Sequence, residues 1–238
     1  MASTAVLLHG FAGTARHWDR VIAASAPAGV EPLAVELAEA DPLTPDGVAM
    51  LVSARAPARF VLAGYSMGGR AALYAALGLG LAGRVERLVL LSAGAGIEDP
   101  AERARRRAED EALAASIERE GIEWFVARWR DVPLFAGDPP WVADAVAHEE
   151  RACDPAVLAA SLRGLGPGSM APMWDRLGEL ALPVAVLAGA RDARYVAQGR
   201  RLASAVPGAT FEVVAGAGHR LALEAPHAVA RALHAEAG

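Results

Sequence analysis

Six short apolar runs, each closed by turn residues, alternate with segments long enough for a helix, and that alternation leaves few folds open to the chain. The runs are Thr4–Leu8, Leu33–Glu36, Arg59–Ala63, Arg87–Ser92, Pro183–Ala188 and Thr210–Val214, each of strand length. Helix-like segments among them include Gly68–Leu79, Val196–Val206 and Ala225–Ala235. Strand and helix in turn is what a parallel sheet with crossover connections demands. The expected class is α/β, with a mostly parallel, doubly wound sheet. The alternation stops between Gly96 and about Leu182, where the chain becomes charged and helical and carries Trp124, Trp129, Trp141 and Trp174. Residues 97–182 therefore read as an inserted helical cap, and 1–96 with 183–238 as the core it interrupts. Pro183 opens the next strand, a position that proline tolerates.

Composition narrows the partners. The 238 residues are 54% apolar and 21% charged with a net charge of -5, an ordinary globular balance. The arginines are scattered among acidic neighbours, so the chain offers no basic stripe for nucleic acid. Cys153 is the single cysteine; it forms no internal disulfide, suits a reducing compartment and reads as an inert thiol. MASTAVLLHGF reads as a first strand rather than a leader, and Ala71–Gly83 is too short to span a bilayer. A soluble, cytoplasmic protein without membrane anchoring is expected.

The chemistry concentrates in GYSMGGR, residues 64–70. Here a serine follows a strand and precedes a helix, and Gly64 and Gly68 leave room for a turn too tight for side chains. Such an elbow exposes Ser66 Oγ at the carboxyl end of the sheet and aims the Met67 N–H at a place where an oxyanion forms. The same glycine-rich turn also serves packing alone. Serine needs an imidazole to take its proton, and the imidazole needs a carboxylate to fix its tautomer. After the run Pro183–Ala188 comes GARD, with Asp192; after Thr210–Val214 comes AGAGH, with His219. The order Ser66, Asp192, His219, each at a strand end, suits a triad. Asp192 by itself also fits a helix N-cap or a surface ion pair.

His17 and His148 fall in expected surface segments, and His227 and His234 on the last helix. His9 belongs to LHGF at the end of the first strand; it reads as a turn residue, while the Phe11 N–H beside it is a candidate second oxyanion donor.

Taken together, HGF, GYSMGG, GARD and AGAGH resemble the α/β-hydrolase superfamily, which implies the α/β-hydrolase fold. Arg70 sits on the first turn after the serine, and the inserted segment adds ERARRRAEDEALA, FVARWRDVPLF and HEERACD. Much of this charge has a bland reading, since Glu102 with Arg106 and Arg107 with Glu111 are spaced for pairing along a solvated helix. The whole series is nevertheless similar to the 2-succinyl-6-hydroxy-2,4-cyclohexadiene-1-carboxylate synthase family of menaquinone biosynthesis, from Leu8 to about Pro226.

That resemblance implies a lyase that eliminates pyruvate from 2-succinyl-5-enolpyruvyl-6-hydroxy-3-cyclohexene-1-carboxylate, with no cofactor and no metal. It implies a small polycarboxylate as partner, held by Arg70, Arg106 and Arg151 with Tyr65 and Trp129 as further pocket residues; Arg107 comes second to Arg106 because helix rotation aims one of them inward. Bidentate guanidinium forks suit carboxylates. A serine esterase or C–C bond hydrolase, and a non-catalytic binding protein on the same scaffold, are the competing readings. The oligomeric state stays open.

Overall fold

The computed structural model describes residues 3–26, 29–78, 81 and 83–234. Six strands form one sheet: β1 (Ser3–Leu8), β2 (Val30–Val35), β3 (Phe60–Tyr65), β4 (Val85–Leu91), β5 (Val184–Gly189) and β6 (Thr210–Val214), in the order β2-β1-β3-β4-β5-β6. Every pairing is parallel. The expected strands are all present, with ends shifted by up to three residues. Two expected helix ends, Leu79 and Ala235, lie outside the described residues.

Alternation along the strands explains why both faces of the sheet are covered. Val6, Leu8, Leu62, Leu88, Leu90 and Val186 point into one core layer; Leu7, Val61, Ala63, Val89, Leu91 and Leu187 point into the other. Successive strand side chains alternate between faces, and runs apolar at every position are the mark of strands covered on both. The first layer is closed by α2 (Pro45–Arg55) and α3 (Met67–Leu77), the second by α1 (Asp19–Ser25) and α10 (Pro226–His234). Pro32 lies in β2, at the edge of the sheet, where a strand tolerates proline.

Between β4 and β5 the chain makes α4 (Pro100–Glu120), α5 (Ile122–Trp129), α6 (Pro140–Arg151) and α7 (Pro155–Leu165). Their boundaries are written in caps: Asp99 accepts from Glu102 N–H at 2.6 Å, Asp154 accepts from Ala156 N–H at 2.8 Å, and each is followed by proline at the first helical position. These helices share a small apolar core of Ala114, Ile117, Phe125, Leu158 and Leu162. The way back is short. Met173 N–H donates to Ala95 O at 2.7 Å and Trp174 Nε1 to Gly96 O at 2.9 Å, so the segment leaves and rejoins the core at one place. Met173, Leu177 and Leu180 then pack in the first core layer. After β5 come α8 (Ala193–Ala205) and, beyond β6, the single turn α9 (Leu221–Glu224).

Candidate active site

Ser66 occupies the turn between β3 and α3 with φ 52° and ψ -108°, a conformation that side chains rarely adopt and that concentrates at functional turns. Its two flanking glycines are required by contact. A Cβ on Gly64 would stand 2.3 Å from Gly68 O, and one on Gly68 would stand 2.3 Å from His9 O. The backbone thus passes through a gap that admits no methyl group, and Ser66 is left partly exposed at the sheet's carboxyl end.

Asp192 and His219 arrive there from the ends of β5 and β6. His219 Nδ1 lies 2.6 Å from Asp192 Oδ2, and its Nε2 lies 3.2 Å from Ser66 Oγ. Asp192 serves two of its expected readings at once, because its other oxygen, Oδ1, accepts from Tyr195 N–H at 3.1 Å and caps α8. A carboxylate fixed by a helix terminus holds the imidazole with little freedom to turn. Burial drives His219 below the ordinary imidazole pKa while Asp192 pulls the other way; the net shift is downward and favours the neutral ring.

Ser66 and His219 face a cavity of about 500 Å³ that also takes in Phe11, Tyr65, Met67, Arg70, Arg106 and Trp129, while Asp192 lies buried behind His219. Met67 opens α3, where the first N–H groups have no partner inside the helix. Tyr65 is buried, and desolvation keeps its phenol protonated. Trp129 packs edge-on to Phe11 with centroids 5.2 Å apart.

The arginines divide. Arg70 is buried, donates from Nη2 to Leu165 O at 3.1 Å, and has a buried Nε with no hydrogen-bond partner. Among the described residues no carboxylate lies within ion-pair distance of it. Burial lowers its pKa from the usual guanidinium value. Arg106 lines the cavity and bonds Asp110 at 2.8 Å. The helical pairing is therefore shifted from the expected one: Arg106 meets Asp110 rather than Glu102, Arg107 donates to Gly168 O, and Glu111 pairs with Arg163.

Arg151 does not join them. It is half exposed, bonds Glu123 at 3.1 Å and Ala147 O at 3.2 Å, and is absent from the cavity wall. Glu149 does line the cavity, and a residue two positions further along a helix is turned by about 200°. Arg151 is thereby aimed outward.

Several cavity residues escaped the sequence reading, among them His17, Glu149, Arg194 and Arg220. His17, expected at the surface, is buried; its ring stacks on Tyr65 at 4.9 Å and its Nδ1 lies 3.3 Å from Glu149 Oε2. Nothing local signals this, since its partner is 132 residues away. Arg194 and Arg220 also line the cavity, and both had a signal in their closeness to Asp192 and His219. His9 is buried in its turn, with ring nitrogens meeting Gly10 O at 2.8 Å, Glu36 Oε1 at 2.9 Å and Leu37 N–H at 3.1 Å. Burial pushes the Cys153 thiol up to about 12, which favours its protonated form. No helix among the described residues is long and apolar enough to cross a membrane.

Comparison with known proteins gives the family. Residues 5–232 match the alpha/beta hydrolase family. A Bacillus subtilis protein assigned as a 2-succinyl-6-hydroxy-2,4-cyclohexadiene-1-carboxylate synthase is 35% identical over 169 residues, covering 69% of this chain and 61% of the relative. The synthase of that name from Serratia proteamaculans is 31% identical over 242 residues, covering 96% of this chain and 90% of the relative. Among solved structures, MenH from S. aureus superposes with a TM-score of 0.87 at 27% identity, covering 97% of this chain and 91% of the other. The chain belongs to the alpha/beta hydrolase family and, within it, to the family of 2-succinyl-6-hydroxy-2,4-cyclohexadiene-1-carboxylate synthases.

Proposed function

We propose that the protein is a pyruvate-eliminating carbon–oxygen lyase acting on 2-succinyl-5-enolpyruvyl-6-hydroxy-3-cyclohexene-1-carboxylate, with Ser66, Asp192 and His219 as its triad and the inserted helices as a cap over the site. The observation that carries this reading is Arg70. A buried guanidinium with no carboxylate partner is costly, and the cost is explained if a substrate carboxylate completes the site. Arg106, already answered by Asp110, and Arg194 at the cavity wall complete a cationic face for a polycarboxylate.

The chemistry follows from the geometry. His219 Nε2 takes the proton of Ser66 Oγ as the serine oxygen removes the proton beside the succinyl ketone. The C–H electrons move into an enolate, whose oxygen is met by the N–H groups of Met67 and Phe11. Collapse of the enolate forms C2=C3, shifts the existing C3=C4 double bond to C4=C5 and breaks the bond from C5 to the enolpyruvyl oxygen; that fragment leaves as the enolate, takes the proton held on His219 and becomes pyruvate. Asp192 holds the imidazole in the tautomer that accepts at Nε2 throughout. No acyl-enzyme is formed.

Pyruvate release from the enolpyruvyl substrate, followed through a coupled dehydrogenase, tests the proposal. Turnover of that substrate is expected. Hydrolysis of short aryl esters with no pyruvate released would replace it with the esterase reading, and unchanged ligand binding and turnover in Ser66→Ala would remove the triad.

A further inference from the structure

The loop that carries Phe11 and the loop that carries His219 come from opposite ends of the chain, yet both are tied to the same inserted helix. In the first, Thr14 N–H and Thr14 Oγ1 donate to Glu149 Oε1 at 2.6 and 2.9 Å, and His17 Nδ1 meets Glu149 Oε2 at 3.3 Å. That loop is itself closed by Gly13 N–H donating to Gly10 O at 3.2 Å, so a hold on Thr14 is a hold on the turn containing Phe11. In the second, Arg220, the neighbour of His219, donates from Nε to Asp138 Oδ2 at 2.7 Å, and its Nη2 lies 3.9 Å from Glu150 Oε1. The guanidinium also sits 4.0 Å from the centroid of Phe135, whose ring is 5.9 Å from that of His219.

Asp138 lies two residues before α6, while Glu149 and Glu150 are adjacent on it and therefore project about 100° apart. The helix, together with the turn that leads into it, thus reaches both loops. The contacts are buried: the side chains of Arg220, Asp138 and Glu150 are each less than a tenth exposed, and Val142, Val146 and Leu223 form an apolar seam beside them. Buried, hydrogen-bonded ionic groups of this kind fix geometry more than they add stability.

We propose that Glu149 and Arg220 are positioning residues that tie the Phe11 loop and the His219 loop to α6, so that the seating of this one helix sets both the oxyanion donor and the base about Ser66. The proposal rests on the triad reading above. Glu149 and Arg220 act through the two loops, and the prediction is accordingly on kcat.

The test compares Glu149→Ala, Glu149→Gln, Arg220→Met and Arg220→Lys by pyruvate release and by NMR of the His219 imidazole and the Phe11 amide. Glu149→Ala and Arg220→Met are expected to lower kcat about tenfold or more, in the range that ~1 Å misplacement causes, with KM changed less than about threefold. The conservative variants should recover most of the loss. Each of the two disruptive variants should move both reporters, because both loops hang from α6. If each moved only the reporter on its own loop, or if Arg220→Met raised KM with kcat kept, the coupling through α6 would be wrong. If one disruptive variant fails to fold, its conservative partner must still show the smaller two-reporter shift, and its absence counts against the proposal. The NMR arm reads loop position without any substrate, so it decides this point even if the wild type releases no pyruvate.

Discussion

The two walls of the cavity are built differently. At the sheet end Ser66, Asp192 and His219 are placed by backbone: a turn that admits no Cβ at Gly64 or Gly68, a helix cap, and a tight AGAGH loop. On the side of the inserted helices Arg106, Trp129 and Glu149 are placed by side chains packing on side chains. A wall set by backbone leaves short motifs in the sequence, whereas a wall set by packing depends on partners far apart in the chain.

Changes on the sheet side should therefore be the most severe. His219→Ala is expected to lower kcat about 10³-fold, the usual scale for loss of a general base, with KM changed little, as read by coupled pyruvate assay. Gly68→Ala sets a methyl 2.3 Å from His9 O and is expected to destabilise by about 3 kcal/mol, since neither neighbour is a flexible side-chain end; urea unfolding measures it.

Arg70 sharpens the contrast, because it sits on the sheet-side helix α3 yet is proposed to meet the substrate. Arg70→Met should cost about thirty- to hundredfold in kcat/KM for the polycarboxylate while raising the melting temperature of the free protein, as a buried unpaired charge is removed. A fall in both would mean that Arg70 is structural.

The pH profile probes the base alone. In the proposed mechanism the neutral imidazole is the active form, and burial lowers its folded pKa, so kcat should hold its plateau as pH falls past 6.5 and decline only below that. A decline centred above 6.5 would contradict the burial argument. The smallest effect belongs to Arg151→Ala: with its guanidinium on Glu123 and turned from the cavity, kcat/KM should change less than about threefold and stability by less than about 0.5 kcal/mol.

The same contrast explains what could be read in advance. All six strands and the three strand-end residues were legible because apolar runs and glycine spacing are local signals. Arg106 was legible through resemblance, and its helical pairing was misjudged by one turn. Arg151 was misplaced because the phase of α6 depends on where the helix sits, which Val142 and Val146 decide by packing on Leu223. His17 was missed because surface and core look alike in a short segment when the stacking partner, Tyr65, lies on β3, far along the chain.

The meeting of Ala95 and Gly96 with Met173 and Trp174 gives the molecule a hinge point for change over longer times. A chain that departs and returns through one doorway pays closure entropy that grows only with the logarithm of the excursion, about 0.6 kcal/mol for each doubling of length. Helices may be lengthened, dropped or exchanged beyond that doorway while the sheet scarcely registers the difference. The sheet-end residues are then inherited as a fixed part, and the lining supplied by the inserted helices becomes a replaceable one.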